Sequence, residues 1–237
     1  MPDGPLAGRV SVVTGASRGL GAAVAKRLAA AGSHVVLIAR TVGGLEETDD
    51  AIRAAGGSAT LVPLDLAELD TVLSLGPSLY ERFGRVDALV ALAAELGPLN
   101  PVPHGDLKAW QRVLDVTLTA NQRLLTTLHP LLAAAPAGRV VMATCRQADG
   151  RSPFWYAYAT AKAGLETLLR LYAAEMAKST VRANLVDPGA MATRLRRLAF
   201  PGEDAASLPE ADSRAEAVAA LAGPDTTITG DLVRLGQ

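Results

Sequence analysis

Along the chain, short runs of apolar and β-branched residues alternate with longer stretches in which apolar positions recur every three to four residues. The short runs are Val10–Thr14, His34–Ala39, Ala59–Leu64, Ala88–Leu92, Arg139–Ala143, Val181–Val186 and Ile228–Leu235. Ala88–Leu92 is apolar throughout, as strands covered on both faces are. The stretches Leu20–Ala31, Leu45–Ala55, Leu69–Phe83, Leu107–Ala134, Tyr156–Ala177 and Ser213–Ala222 read as amphipathic helices. Strand–helix alternation predicts right-handed βαβ units. The expected fold is α/β: a doubly wound three-layer sandwich, its seven-stranded parallel sheet carrying helices on both faces. Ligands of such sheets sit beyond the C-terminal strand ends. That rule gathers Arg40, Asp65, Ala93, Cys145 and Pro188 at one crevice, since each ends or follows a strand.

Composition narrows the picture. The 237 residues, 49% of them apolar, suffice for one domain spanning 1–237, near the upper end of single-core size. A net charge of −1 gives no electrostatic case for nucleic acid or an anionic membrane. No apolar run approaches the roughly 18 residues of a membrane span. The start, Met1 to Pro5, lacks the basic residues and apolar core of a signal peptide. The single cysteine, Cys145, excludes an intrachain disulfide. A cytoplasmic protein is the expectation, and no metal ligand set is assigned. The segment Met191–Asp212 breaks the alternation beside the crevice. It reads as a substrate lid over about 190–213, or as an ordinary surface excursion. Its Arg194, Arg196 and Arg197 face an acidic substrate or simply solvent.

Two stretches carry chemistry. Thr14-Gly15-Ala16-Ser17-Arg18-Gly19-Leu20-Gly21 joins the first strand to the first helix. Gly15 permits the bend, Gly19 lets backbone approach a phosphate, and Gly21 permits close helix packing. A glycine turn opening a helix exposes backbone N–H groups and a positive helix end, which together favour a dinucleotide phosphate. The second strand ends Ala39-Arg40-Thr41 without the carboxylate that a ribose 2′-hydroxyl prefers. Arg18 and Arg40 instead offer two guanidinium forks for a 2′-phosphate. NADP(H) is therefore expected in preference to NAD(H). Asp65 is either an adenine partner or a helix cap. Further on, Tyr158 and Lys162 stand four apart, on one helix face. A phenol titrates near 10. A nearby ammonium lowers that value, and such a tyrosine passes a proton to a carbonyl oxygen.

Glycine turn, Asp65, Tyr158/Lys162, and Pro188-Gly189 with Thr193 following together resemble the short-chain dehydrogenase/reductase family, over nearly the whole chain. The tract from Trp155 to Pro201 is similar to a branch of uncharacterised bacterial oxidoreductases. The resemblance implies a Rossmann-type fold. It implies cofactor contacts from Gly15, Ser17, Arg18, Gly19, Leu20 and Gly21 at the phosphates, and from Arg40, Asp65, Leu66 and Ala93 at the adenosine. Tyr158, Lys162, Pro188, Gly189 and Thr193 would meet the nicotinamide half. Tyr158 is the implied acid/base, working on a small carbonyl or alcohol, with Lys162 lowering its pKa and holding ribose. Family members commonly pair through the two long helices, so a homodimer or homotetramer is implied. Leu114, Leu118, Leu125 and Leu128 fit that interface and a buried core face equally.

Three positions depart from the family pattern. Asn-Asn-Ala-Gly after the fourth strand is replaced by Ala91-Leu92-Ala93-Ala94, which removes bracing amides and adds a methyl beside the cofactor. The catalytic serine position holds Cys145, a weaker hydrogen-bond donor, a small apolar filler or, least expected, a nucleophile. The helix asparagine corresponds to Thr117, either a relay residue or a plain helix residue, with Asn121 one turn later. Two functions follow: an NADP(H)-dependent oxidoreductase using Tyr158, Lys162, Cys145 and Thr117, or a cofactor-binding, catalytically weakened regulatory or structural subunit. Pocket-lining candidates are Glu95, Leu96, Gln147, Trp155 and Arg194.

Overall fold

A computed structural model describes residues 4–236; the reading of Met1–Asp3 as free of a signal lies outside them. Seven parallel strands run in the order β3-β2-β1-β4-β5-β6-β7. They are β1 Val10–Thr14, β2 His34–Ala39, β3 Ser58–Pro63, β4 Ala88–Ala91, β5 Arg139–Ala143, β6 Arg182–Asp187 and β7 Leu232–Arg234. The order reverses between β1 and β4, which opens a crevice at their C-terminal ends. The helices are α1 Gly19–Ala30, α2 Val42–Ala54, α3 Leu69–Leu73, α4 Leu75–Phe83, α5 Leu107–Leu114, α6 Ala120–Ala134, α7 Tyr156–Glu175, α8 Arg194–Ala199 and α9 Asp212–Leu221.

The two-residue period of the strands divides the core. Val13, Val35, Leu37, Val90 and Val141 pack on α1, α2 and α9 through Val24, Leu28, Ile52 and Val218. Their neighbours Val12, Val36, Ile38, Leu89 and Met142 pack on the opposite layer, against Val72, Leu79, Leu124, Leu128 and Leu165. Each such side chain contributes about 1.5–3 kcal/mol by leaving water. Buried charges at the N-terminal end of the sheet are consumed internally. Arg9 donates to the carbonyls of Asp87 and Ala137, and Arg139 to those of Thr180 and Gly223.

Several expected boundaries shift. Leu69–Phe83 divides at Ser74 into α3 and α4. Leu107–Ala134 is interrupted by a π-helical turn at Asp115–Thr119. The last strand is shorter than Ile228–Leu235, because Gly230 turns at φ 79° and side chains replace ladder bonds there. Asn184 Nδ2 donates to the Ile228 carbonyl, and Thr229 Oγ1 accepts from the Ala183 N–H. The segment after β6 is not an open loop: it holds α8 and a short 3₁₀ turn, Ala205–Ser207. No helix among the described residues is long and apolar enough to cross a membrane.

Candidate active site

One cleft of about 1700 Å³ lies across the C-terminal strand ends. Single small-ligand pockets hold about 300–1,000 Å³, so the cleft has room for two ligands side by side. Every cofactor or catalytic residue anticipated from the sequence lines it except Thr117.

At one end the chain builds an anion cradle. Gly15 and Gly19 adopt φ of 72° and 53°, which only glycine takes without strain. A Cβ on Gly15 would stand 3.1 Å from Ala93 Cα, and one on Gly21 would collide with the Gly15 carbonyl oxygen. A Cβ on Gly44, at the start of α2, would stand 2.7 Å from the Ser17 carbonyl oxygen. The α1 N-cap, Arg18, makes no side-chain cap bond, and the first turn carries no acidic residue. Its positive end is thus left for an external anion. Arg18 Nη2 donates to Thr41 Oγ1 at 3.1 Å, which brings it beside Arg40. The residues fit the phosphates of a dinucleotide.

Asp65 does not cap the next helix, whose N-cap position is Glu68. Asp65 Oδ1 accepts from the Ala67 N–H at 3.0 Å, closing a turn. Both its oxygens also take Arg112 Nη2, at 3.1 and 2.8 Å. Hydrogen bonding and the Arg40 and Arg112 charges hold this carboxyl below its ordinary range, against the opposing effect of burial. Arg112 and Glu95 complete a four-charge group with Asp65 and Arg40. Sequence reasoning missed Arg112, because its partner lies 47 residues away.

Hydroxyl groups brace the segment after β4. Thr14 Oγ1 accepts from the N–H groups of Leu92 and Ala93, at 3.1 and 3.2 Å. Thr117 Oγ1 accepts from the Glu95 N–H at 3.1 Å. Two threonine hydroxyls therefore fix the segment after β4. Thr117 is fully buried within the π turn, and its carbonyl takes Asn121 Nδ2 at 2.9 Å.

At the other end stand Tyr158 and Lys162, both buried on α7. Lys162 Nζ donates to the Ala143 carbonyl at 2.6 Å and lies 5.6 Å from the centroid of the Tyr158 ring. The expected lowering of the phenol is reversed. Burial pushes Tyr158 up, Cys145 and Asp187 push it further, and Lys162 stands over the ring face, bonded elsewhere. Burial also brings Lys162 down to about 8, despite Cys145, Asp187 and Glu166 nearby. The Cys145 thiol is raised, chiefly by burial, which opposes a thiolate nucleophile.

Around Tyr158 the wall is apolar: Leu96, Trp155, Leu195 and Phe200 pack with it. Trp155 meets Tyr158 and Phe200 at ring centroid distances of 5.9 and 5.7 Å. Arg196 lies 3.8 Å over Phe200 and forks onto Glu203 with two bonds of 2.6 Å. The segment after β6 is therefore tied to the start of α7. Thr193 caps α8, accepting from the Arg196 N–H at 3.2 Å. Its methyl lies 3.6 Å from where a Gly19 Cβ would stand, across the cleft. Phe154, just before Trp155, has φ 74°, alone among described non-glycine residues. That backbone strain, of order 1–3 kcal/mol, adjoins the tyrosine.

A parallel sheet with a crevice at its switch point, a glycine turn and a Tyr/Lys helix face define a dinucleotide-binding oxidoreductase fold. The short chain dehydrogenase family model matches residues 9–204, and the chain belongs to that family. A short chain dehydrogenase of Pseudocercospora fijiensis is 34% identical over 195 residues, covering 81% of this chain and 63% of that protein. A cis-4-hydroxycyclohexanecarboxylate dehydrogenase of Sinomonas cyclohexanicum is 37% identical over 188 residues, 76% of this chain and 72% of its own. A Shigella flexneri structure, assigned as a short chain dehydrogenase and complexed with NADP, superposes with a TM-score of 0.93. It is 27% identical, with 99% of both chains covered.

Proposed function

We propose that this chain is an NADP(H)-dependent oxidoreductase that reduces a carbonyl, or oxidises an alcohol, on an apolar small molecule. The observation that carries the reading is the buried Tyr158/Lys162 pair, in the same cleft as the glycine turn, Arg18 and Arg40. Bound nicotinamide would supply or accept the hydride. Gly15 to Gly21 hold its phosphates, with Arg18 and Arg40 taking the 2′-phosphate. Asp65, Leu66 and Ala93 border the adenosine, and Pro188, Gly189 and Thr193 the nicotinamide.

Tyr158 is the proton donor to the carbonyl oxygen and the acceptor in reverse. Its raised pKa keeps the phenol protonated at neutral pH, the form reduction needs. Lys162 fixes the helix face through the Ala143 carbonyl and supplies positive charge as the phenol loses its proton. Cys145 orients the substrate oxygen with a weak S–H bond. Thr117 acts by holding the Glu95 backbone. Trp155, Phe200 and Leu96 select an apolar substrate body, consistent with the alicyclic substrate in the Sinomonas enzyme's name. Exposed Leu107 and Leu171, on α5 and α7, fit self-assembly as a homodimer or homotetramer.

The test is NADPH consumption by purified protein on a panel of apolar ketones. Turnover that disappears in Tyr158→Phe supports the mechanism, and turnover unchanged in that variant ends it. A second reading, a weakened cofactor-binding subunit, is favoured by Cys145 and by the commitment of Thr117 Oγ1 to backbone. Wild-type turnover at ordinary enzymatic rates removes it.

A further inference from the structure

Four charges from four separate segments meet at the adenosine end. Arg40 follows β2, Asp65 follows β3, Glu95 follows β4, and Arg112 projects from α5. Asp65 and Glu95 do not have the same partners to the same degree. Arg112 Nη2 donates to both Asp65 oxygens, at 2.8 and 3.1 Å. Arg40 Nη1 is 4.0 Å from Asp65, at the outer limit of an ion pair. Glu95 Oε2, by contrast, is shared evenly: 3.4 Å from Arg40 Nη1 and 3.3 Å from Arg112 Nε. The backbone beneath Glu95 is fixed by the Thr117 hydroxyl.

We infer that Glu95 and Arg112 form a charge clasp that sets how strongly this site prefers a 2′-phosphorylated cofactor. The inference rests on the reading of the cleft as an NADP(H) site. Arg40 is the guanidinium offered to the 2′-phosphate, and Glu95 already occupies one of its N–H groups. A 2′-phosphate brings up to two negative charges to that place and repels the Glu95 carboxylate. Binding it requires Glu95 to give up Arg40. Arg112 makes the exchange feasible, because it can take the whole Glu95 carboxylate without losing its own bonds to Asp65. A cofactor with a bare ribose asks for no exchange. Glu95 therefore works against NADPH relative to NADH, and Arg112 works for it.

The two residues consequently push in opposite directions. Dissociation constants for NADPH and NADH are measured by tryptophan fluorescence on wild type, Glu95→Gln, Arg112→Met and the double variant. The ratio of NADH to NADPH dissociation constants should rise about two- to five-fold in Glu95→Gln, the scale of a partly exposed ion pair. It should fall by a similar factor in Arg112→Met. Most of that fall should vanish when Glu95 is already Gln, the signature of coupling through the carboxylate. Glu95→Asp, which keeps the charge but shortens its reach to Arg40, should give a smaller rise. A ratio unmoved or lowered in both Glu95 variants overturns the clasp while leaving the cofactor reading intact. So does an Arg112→Met effect of full size in the double variant. Wild-type protein that binds neither nucleotide overturns both.

Discussion

The two ends of the cleft are built to different standards of closeness. At the phosphate turn, backbone meets backbone: Gly15 faces Ala93, Gly21 faces the Gly15 carbonyl, and Gly44 faces Ser17. No side chain can be added there without moving main chain. At the reacting end side chains make the contacts, to one another and to main chain: Trp155 meets Tyr158, and Lys162 reaches the Ala143 carbonyl. On the proposed reading, Cys145 takes the place of a serine and Ala94 that of a glycine. Thr117 in place of asparagine spends its hydroxyl on Glu95. The lesson concerns what constrains each end. A phosphate turn is fixed by sterics that any phosphate-bearing cofactor demands, whereas the far end is fixed only by one reaction's needs.

The largest effect should come from the residue that the reacting end retains. Tyr158→Phe is expected to lower kcat by roughly 10²–10⁴-fold, the usual worth of a positioned general acid. NADPH affinity, measured by titration, should barely change. A comparable loss of affinity would mean that the two ends are not separable. Next comes Gly21→Ala. Its methyl would overlap the Gly15 carbonyl and approach Ala16 N to 3.2 Å. About 1–3 kcal/mol of stability should be lost to overpacking, read from denaturant unfolding. Nucleotide binding should weaken with it, and unchanged binding would show that the cradle tolerates more than its geometry suggests.

A smaller effect concerns Lys162, whose ammonium is buried and titrates at about 8, against an ordinary 10.5. Below about pH 8 both folded and unfolded chains bind this proton, and burial of the charge is then a full penalty. Between about 8 and 10.5 the unfolded chain binds more protons, so this group's contribution to stability rises with pH. Lys162→Met should therefore melt a few degrees above wild type at pH 7, with the gap closing as pH rises through that window. A gap that widens would contradict the burial account of Lys162.

What the sequence made legible follows the same division. Strands β1, β2 and β5 are read at their true ends because both faces are largely buried and their runs are dominated by apolar residues. The π turn at Asp115–Thr119 leaves no such trace, because its composition is that of any helix. The Thr14 and Thr117 braces join groups far apart along the chain, and nothing in the local pattern marks them. Arg112 and its clasp join residues from separate segments, and no local spacing announces that. The direction in which the phenol shifts is set by burial, which the four-residue spacing to Lys162 does not reveal. Tyr158 lies in an apolar wall with Trp155 and Leu96, where desolvation outweighs a lysine bonded to Ala143.

The contrast between the two ends is tested most directly by Cys145→Ser, with kcat on a ketone substrate and the NADPH dissociation constant measured on the same preparation. One preorganised donor is worth about 10²–10³ in rate; a thiol retains part of that. Restoring the hydroxyl should raise kcat roughly ten-fold or more and leave the NADPH dissociation constant where it was. A kcat that falls, or an affinity that moves with it, would contradict a reacting end that has drifted beside an intact nucleotide end.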